Sequence, residues 1–195
     1  MASHTTLPTE GLLERFLANE FEQIFCEKCM NTFLTNIYDY GEYVILEKFS
    51  LGLEYYRDAI AQHAIQHQPR LALLGVLDGM KNEVLDLNTI QLRTHQEPDY
   101  RLIYVMEKLK HLAEADEQFF TNRVHEMNWL DEAQRHATLD WISAKYGDTL
   151  SQDIRQLCRY YREHQDYIDW DLHGDNLMLR PNTQELVILD PYTLR

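Results

Sequence analysis

The residues best suited to chemistry lie in the stretch Ile168-Asp169-Trp170-Asp171-Leu172-His173-Gly174-Asp175-Asn176-Leu177-Met178-Leu179. Asp171 and Asn176 are five positions apart, an apolar triplet follows, and Asp190-Pro191 closes a second apolar run, Leu186-Val187-Ile188-Leu189. A carboxylate can accept a hydroxyl proton, while an amide oxygen and a second carboxylate can hold Mg²⁺ against phosphate oxygens. The two apolar runs flank Arg180-Pro181-Asn182-Thr183-Gln184 and read as short strands joined by a turn. Such a hairpin would return Asn176 and Asp190 to one point, where an amide oxygen and a carboxylate could share one hard cation. A bare Asp-x-x-x-x-Asn is common, and a polar turn between a helix and a strand would contain one. The weight lies in the full combination with His173, the apolar triplet and the closing Asp-Pro.

The elements that must position these residues read as an α+β layout without βαβ alternation. Residues 9–33 predict a helix capped by Thr9, because Leu12, Leu13, Phe16, Leu17, Phe21, Ile24 and Phe25 recur at three- and four-residue steps. Tyr43-Val44-Ile45-Leu46 predicts a strand entered from a turn at Asp39-Tyr40-Gly41. A helix follows over 53–66 and stops before Pro69. Residues 83–92 and 100–106 predict two strands joined by a polar loop over 94–99. The chain from 108 to 167 reads as helical with a break at Tyr146-Gly147-Asp148, after which Thr149 or Ser151 would cap the next helix.

Composition narrows the function classes. The 195 residues are 45% hydrophobic, enough for a packed core, and one domain or one two-lobed domain is the expectation. A net charge of −14 argues against binding a nucleic-acid backbone and suits a partner with a basic surface. The seven glycines fall at 11, 41, 52, 75, 79, 147 and 174, which excludes every G-x-G nucleotide loop and the Walker A pattern. No apolar run approaches the roughly 20 residues that span a bilayer, and the start has no signal-peptide pattern, so a cytoplasmic setting in a bacterium or an infected host is expected. Cys26-x-x-Cys29 and His63-x-x-x-His67 could be written as a zinc site, but their separation is far from finger spacing. Cysteines on an amphipathic helix and histidines on another helix surface are the simpler reading. Trp129, Trp141 and Trp170 are expected in the core or on a partner face.

The stretch from Ile168 to Tyr192 resembles the protein-kinase-like superfamily, in its D-L-H-x-x-N and I-x-D-P subset. It is most similar to the early, host-directed serine/threonine protein kinases of short-tailed coliphages. The resemblance implies a minimal two-lobed kinase-like fold over 1–195. The smaller lobe would cover 1–108 with the N-terminal helix, and a reduced, mostly helical lobe would cover 109–195. It implies ATP and Mg²⁺ as cofactors and a protein Ser/Thr hydroxyl as acceptor. Asp171 would then be the catalytic base, with His173 at the position of a phosphate-contacting residue. Asn176 and Asp190 would be the metal ligands. Lys48 would be the nucleotide lysine, with Glu54 or Asp58 as its acidic partner. Met106 would be the gatekeeper, and Glu107 to Leu109 the adenine hinge.

This chain departs from the family at several points. Asp169 replaces the His of H-R-D, the glycine loop is missing apart from Gly41, and the inward direction of Lys48 depends on strand register. Five residues follow Asp190, so the resemblance implies no activation loop, A-P-E segment or substrate-docking subdomain. Two other classes compete: a catalytically weak pseudokinase acting as an acidic binding module, and a small-molecule phosphotransferase of the aminoglycoside or choline type. The register His173-Gly174-Asp175 as H-G-D fails for the latter, because Arg180 stands five residues on.

Overall fold

The computed structural model describes residues 6–24 and 35–195. Its contacts divide the chain into two compact units. The first holds the described residues up to Ser50, with Pro69–Gln91 and Gln96–Lys108; the second holds Leu51–Gln68, Leu92–His95 and Leu109–Arg195.

In chain order the first unit carries α1 (Leu12–Leu17), β1 (Gln23–Ile24), β2 (Thr35–Tyr40), β3 (Tyr43–Lys48), β4 (Leu71–Asp78), β5 (Val84–Leu85) and β6 (Tyr100–Glu107). The strands form one antiparallel sheet in the order β1-β2-β3-β6-β4-β5. Val44 to Glu47 and Leu102 to Glu107 are all buried, as expected of central strands covered on both faces. On one face Leu12 of α1 meets Ile45, Leu77, Ile103 and Val105, with Phe16 and Tyr38 edge to face at 5.2 Å. The same face carries Glu47, since Glu47 pairs with Ile103 and Ile45 with Val105. Val44, Leu46 and Lys48 lie on the other face, opposite Met106, Tyr104 and Leu102.

The second unit begins with α2 (Gly52–Gln62), although that helix lies between β3 and β4 in sequence. It continues with β7 (Lys110–His111), α3 (Glu114–Phe119), α4 (Glu132–Tyr146), α5 (Asp148–His164), β8 (Ile168–Trp170), β9 (Leu177–Leu179), β10 (Leu186–Ile188) and β11 (Tyr192–Leu194). Two small antiparallel sheets, β10-β9-β7 and β11-β8, bracket the Asp171–Asn176 loop. Leu150, Ile154 and Leu157 of α5 are buried, and Trp129 packs on Trp170 with ring centres 4.4 Å apart. Trp141 is half exposed, with the Arg123 guanidinium 5.7 Å from its ring. The whole is α+β, with the stretch 114–164 mostly helical, and no described helix is long and apolar enough to cross a membrane.

Several sequence expectations give way here. The helix over 9–33 shortens to α1, starts at Gly11 (φ 69°) rather than Thr9, and ends where Asn19 turns left-handed (φ 57°) before β1. Residues 25–33 of that expectation lie outside the described residues. The helix over 53–66 ends at Gln62, and His63 is already extended. The expected hairpin of 83–92 with 100–106 does not form. β6 pairs with β3 and β4, while 83–92 yields only β5 and a short turn whose Asn88 N–H is taken by the Asp86 carboxylate. β4 itself was unreadable, because its Leu- and Ala-rich run favours no strand by propensity and gains its place by lying between β6 and β5. The break at Gly147 (φ 98°) is present, but Gly147 itself precedes α5, so neither Thr149 nor Ser151 caps it. Ser151 instead donates to the Leu139 carbonyl at 2.8 Å and ties α5 to α4.

Candidate active site

β8 delivers Asp171. The antiparallel pairing of β8 with β11 continues one step further as the Asp171 N–H donates to the Pro191 carbonyl at 2.8 Å. Leu172 is then fully buried and anchors the loop, and residues 174–176 make a single tight turn. Asn176 Nδ2 donates to the Asp171 carbonyl at 2.7 Å. From Asn176 the chain enters the β9–β10 hairpin, at whose far end the Leu189 N–H donates to the Asn176 carbonyl at 2.9 Å. Three bonds thus tie Asp171, Asn176 and the Leu189–Pro191 segment into one cluster, and Asp190 lies within it.

Gly52, at the start of α2, explains how that helix comes so close. A Cβ there would strike the Tyr192 carbonyl oxygen and would sit 3.2 Å from Asp190 Oδ1. A second close approach falls at Gly174, where a Cβ would strike the Glu117 carbonyl at the end of α3. The Gly174 N–H donates to Thr121 Oγ at 3.1 Å, inside a stretch of π-helix over Phe120–His125. Inserted π turns of this kind re-aim side chains within a helix. Here the stretch ends on His125, whose ring stands perpendicular to that of His173 at 5.7 Å.

His173 Nδ1 accepts the Asp175 backbone N–H at 3.2 Å. That hydrogen is fixed by the backbone, so a neutral His173 carries its proton on Nε2, 3.9 Å from Asp171 Oδ1. The 3.1 Å approach of Nε2 to Asn176 Nδ2 is then a contact between two donors rather than a hydrogen bond.

A divalent cation fits this donor set. With Nδ2 committed to the Asp171 carbonyl, the Asn176 amide offers its oxygen as the ligating atom, and Asp190 brings a carboxylate whose Oδ1 is buried. Among the described residues no three His, Cys, Asp or Glu side chains converge on a cation. One amide and one carboxylate would therefore need phosphate oxygens or water to complete a hard cation's shell.

The remaining expected residues divide between the units. In the first, Lys48 shares its sheet face with Met106, through the pairs Lys48–Leu102 and Val44–Met106. Met106 is buried, and Glu107 accepts from the Arg70 backbone N–H at 2.8 Å and from Arg70 Nε at 2.9 Å. The Lys108 N–H donates to the Glu42 carbonyl at 2.9 Å. In the second unit, Glu54 accepts from Arg57 on its own helix at 2.6 Å, Asp58 accepts from Tyr160 Oη at 2.7 Å, and Leu109 is half-buried. Gly41 forms the tight turn between β2 and β3 with φ 65°.

Sequence reasoning missed Thr121 and His125, which come from a helical stretch with no motif; only the loop that meets them reveals them. His63 and His67 are not on a helix surface: both follow α2, and His67 Nδ1 lies 2.7 Å from Asp153 Oδ2. Cys26 and Cys29 lie outside the described residues. Burial pushes the Cys158 thiol up to about 11, which removes it as a thiolate nucleophile. No protein-family model, curated protein or solved structure matches this chain.

Proposed function

We propose that the protein has a kinase-like fold and transfers the γ-phosphoryl group of ATP to a Ser or Thr hydroxyl of a protein. The observation that carries this reading is the three-bond tie, Asp171 N–H to Pro191, Asn176 Nδ2 to Asp171 and Leu189 N–H to Asn176, which draws together Asp171, read as the base, and Asn176 and Asp190, read as hard-cation ligands. Mg²⁺, when bound by Asn176 and Asp190, supplies charge neutralisation at the phosphates. Asp171 is the group that accepts the acceptor's hydroxyl proton. His173, with its proton on Nε2, donates to phosphate oxygen. Within the first unit, Lys48 and Met106 share one face of the sheet.

The acceptor is read as a protein with a basic surface because a chain of charge −14 attracts one. Asp171→Asn tests the base directly. It should retain ATP and Mg²⁺ binding yet lose about 100- to 10,000-fold in phosphate incorporation. Undiminished incorporation would show that Asp171 is not the base. A second reading, a binding module without catalysis, is favoured by the glycine positions, which supply no G-x-G to cover phosphates. Its signature is nucleotide binding without incorporation into any protein.

A further inference from the structure

A buried carboxylate outside the cluster above has no role yet. Asp153 on α5 is 1% exposed, and among the described residues it has no Lys or Arg partner. Burying a carboxylate is costly unless donors surround it. Asp153 Oδ2 accepts three: the Gln66 N–H at 3.0 Å, the His67 N–H at 2.8 Å and His67 Nδ1 at 2.7 Å. All three belong to the short irregular segment after α2, so the carboxylate fixes that segment's path.

The segment in turn grips the β9–β10 hairpin. The His67 carbonyl accepts the Ile188 N–H at 2.7 Å, and the Gln68 carbonyl accepts Arg180 Nη2 at 2.8 Å. An antiparallel edge strand leaves the N–H and C=O of every second residue pointing outward. Ile188 is such a residue on β10, and its carbonyl is also taken, by Tyr56 Oη at 3.0 Å. Two residues beyond Ile188 is Asp190.

We propose that Asp153 and His67 form a positioning clamp that sets Asp190 for metal binding, acting through the Ile188 backbone. The clamp rests on reading Asp190 as a metal ligand. Asp153 and His67 touch neither metal nor substrate; they fix the strand that carries the ligand, as outer residues do around many metal centres.

The test uses the full chain and the EPR signal of Mn²⁺ titrated with a non-hydrolysable imido analogue of ATP. Asp153→Ala should weaken the Mn²⁺-dependent binding by about 10- to 100-fold. Asp153→Asn, whose amide oxygen still accepts both backbone N–H groups, should recover most of that loss. Leu139→Ala, a core gap on α4, gives the effect of lost stability alone and should leave the affinity near wild type. Wild-type affinity in Asp153→Ala, or an equal loss in Leu139→Ala, would overturn the clamp. If Asp153→Ala does not fold, His67→Ala takes its place, with weaker binding expected and wild-type affinity contradictory. If the wild type itself binds no Mn²⁺–nucleotide, the reading of Asp190 as a ligand falls. Hydrogen exchange of the Ile188 amide then judges the clamp: faster exchange in Asp153→Ala than in Leu139→Ala supports it, and equal exchange overturns it.

Discussion

Asn176 shows how a single side chain can do two jobs. Its Nδ2 holds the Asp171 carbonyl, which ties the loop and, on the function proposed above, leaves its oxygen for the cation. Away from this cluster, the first unit holds a largely buried Arg–Glu pair. Glu47 accepts from Arg101 Nη1 at 2.6 Å, from Asn36 at 2.8 Å and from Tyr38 at 2.9 Å. Burial and then the Glu47 hydrogen bond raise the Tyr38 hydroxyl above its ordinary value, so it remains the donor. These contacts frame a cavity of about 270 Å³ whose walls include Phe16, Asn82 and Arg101. Removing one partner of such a pair leaves a buried charge. Arg101→Ala should therefore cost about 3–5 kcal/mol in urea unfolding, toward the lower end because Asn36 and Tyr38 stay in place. Glu47→Gln should cost less, because its amide oxygen can still accept from the Arg101 guanidinium, which also keeps some contact with solvent; the reverse order would refute this account of the pair.

At the scale of elements, the site depends on close approaches that only glycine permits. Gly174→Ala would drive a methyl into the Glu117 carbonyl at the end of α3, with overpacking expected to cost about 1–3 kcal/mol. The melting temperature and phosphate incorporation should fall together, whereas an unchanged melting temperature would show that α3 gives way freely. What could be read in advance follows a physical division. The β9–β10 hairpin and the break at Gly147 were legible, because alternation, turn residues and glycine act locally. β4 and β11 were not, since their pairing is decided by partners distant in sequence: β6 for one and β8 for the other. α1 was overextended because its apolar period continues past Asn19, where the backbone reverses. Within the site, Asp171, Asn176 and Asp190 could be singled out as neighbours, because the apolar triplet and the closing Asp-Pro mark a hairpin that returns one to the other. Thr121, His125 and the Asp153–His67 contact could not, because side chains meeting across elements leave no periodic mark.

At the scale of the whole molecule, 32 acidic against 18 basic residues give a field that repels polyanions and draws in basic proteins. Incorporation into a basic acceptor such as a histone should exceed that into casein and should decline as salt is raised, because long-range steering is screened. Equal rates for both acceptors at low salt would contradict this. The central claim, that Asp190 and Asn176 hold a metal–nucleotide complex, has a direct thermodynamic readout. A ligand that binds only the folded chain, present at 100 times its Kd, stabilises it by about 2.7 kcal/mol, or about 5–10 °C for a chain of this size. The decisive measurement is a thermal melt of the wild type and Asp190→Ala with saturating ATP and Mg²⁺. A rise of that order in the wild type alone is the predicted result; an equal rise in both, or none in the wild type, would contradict it.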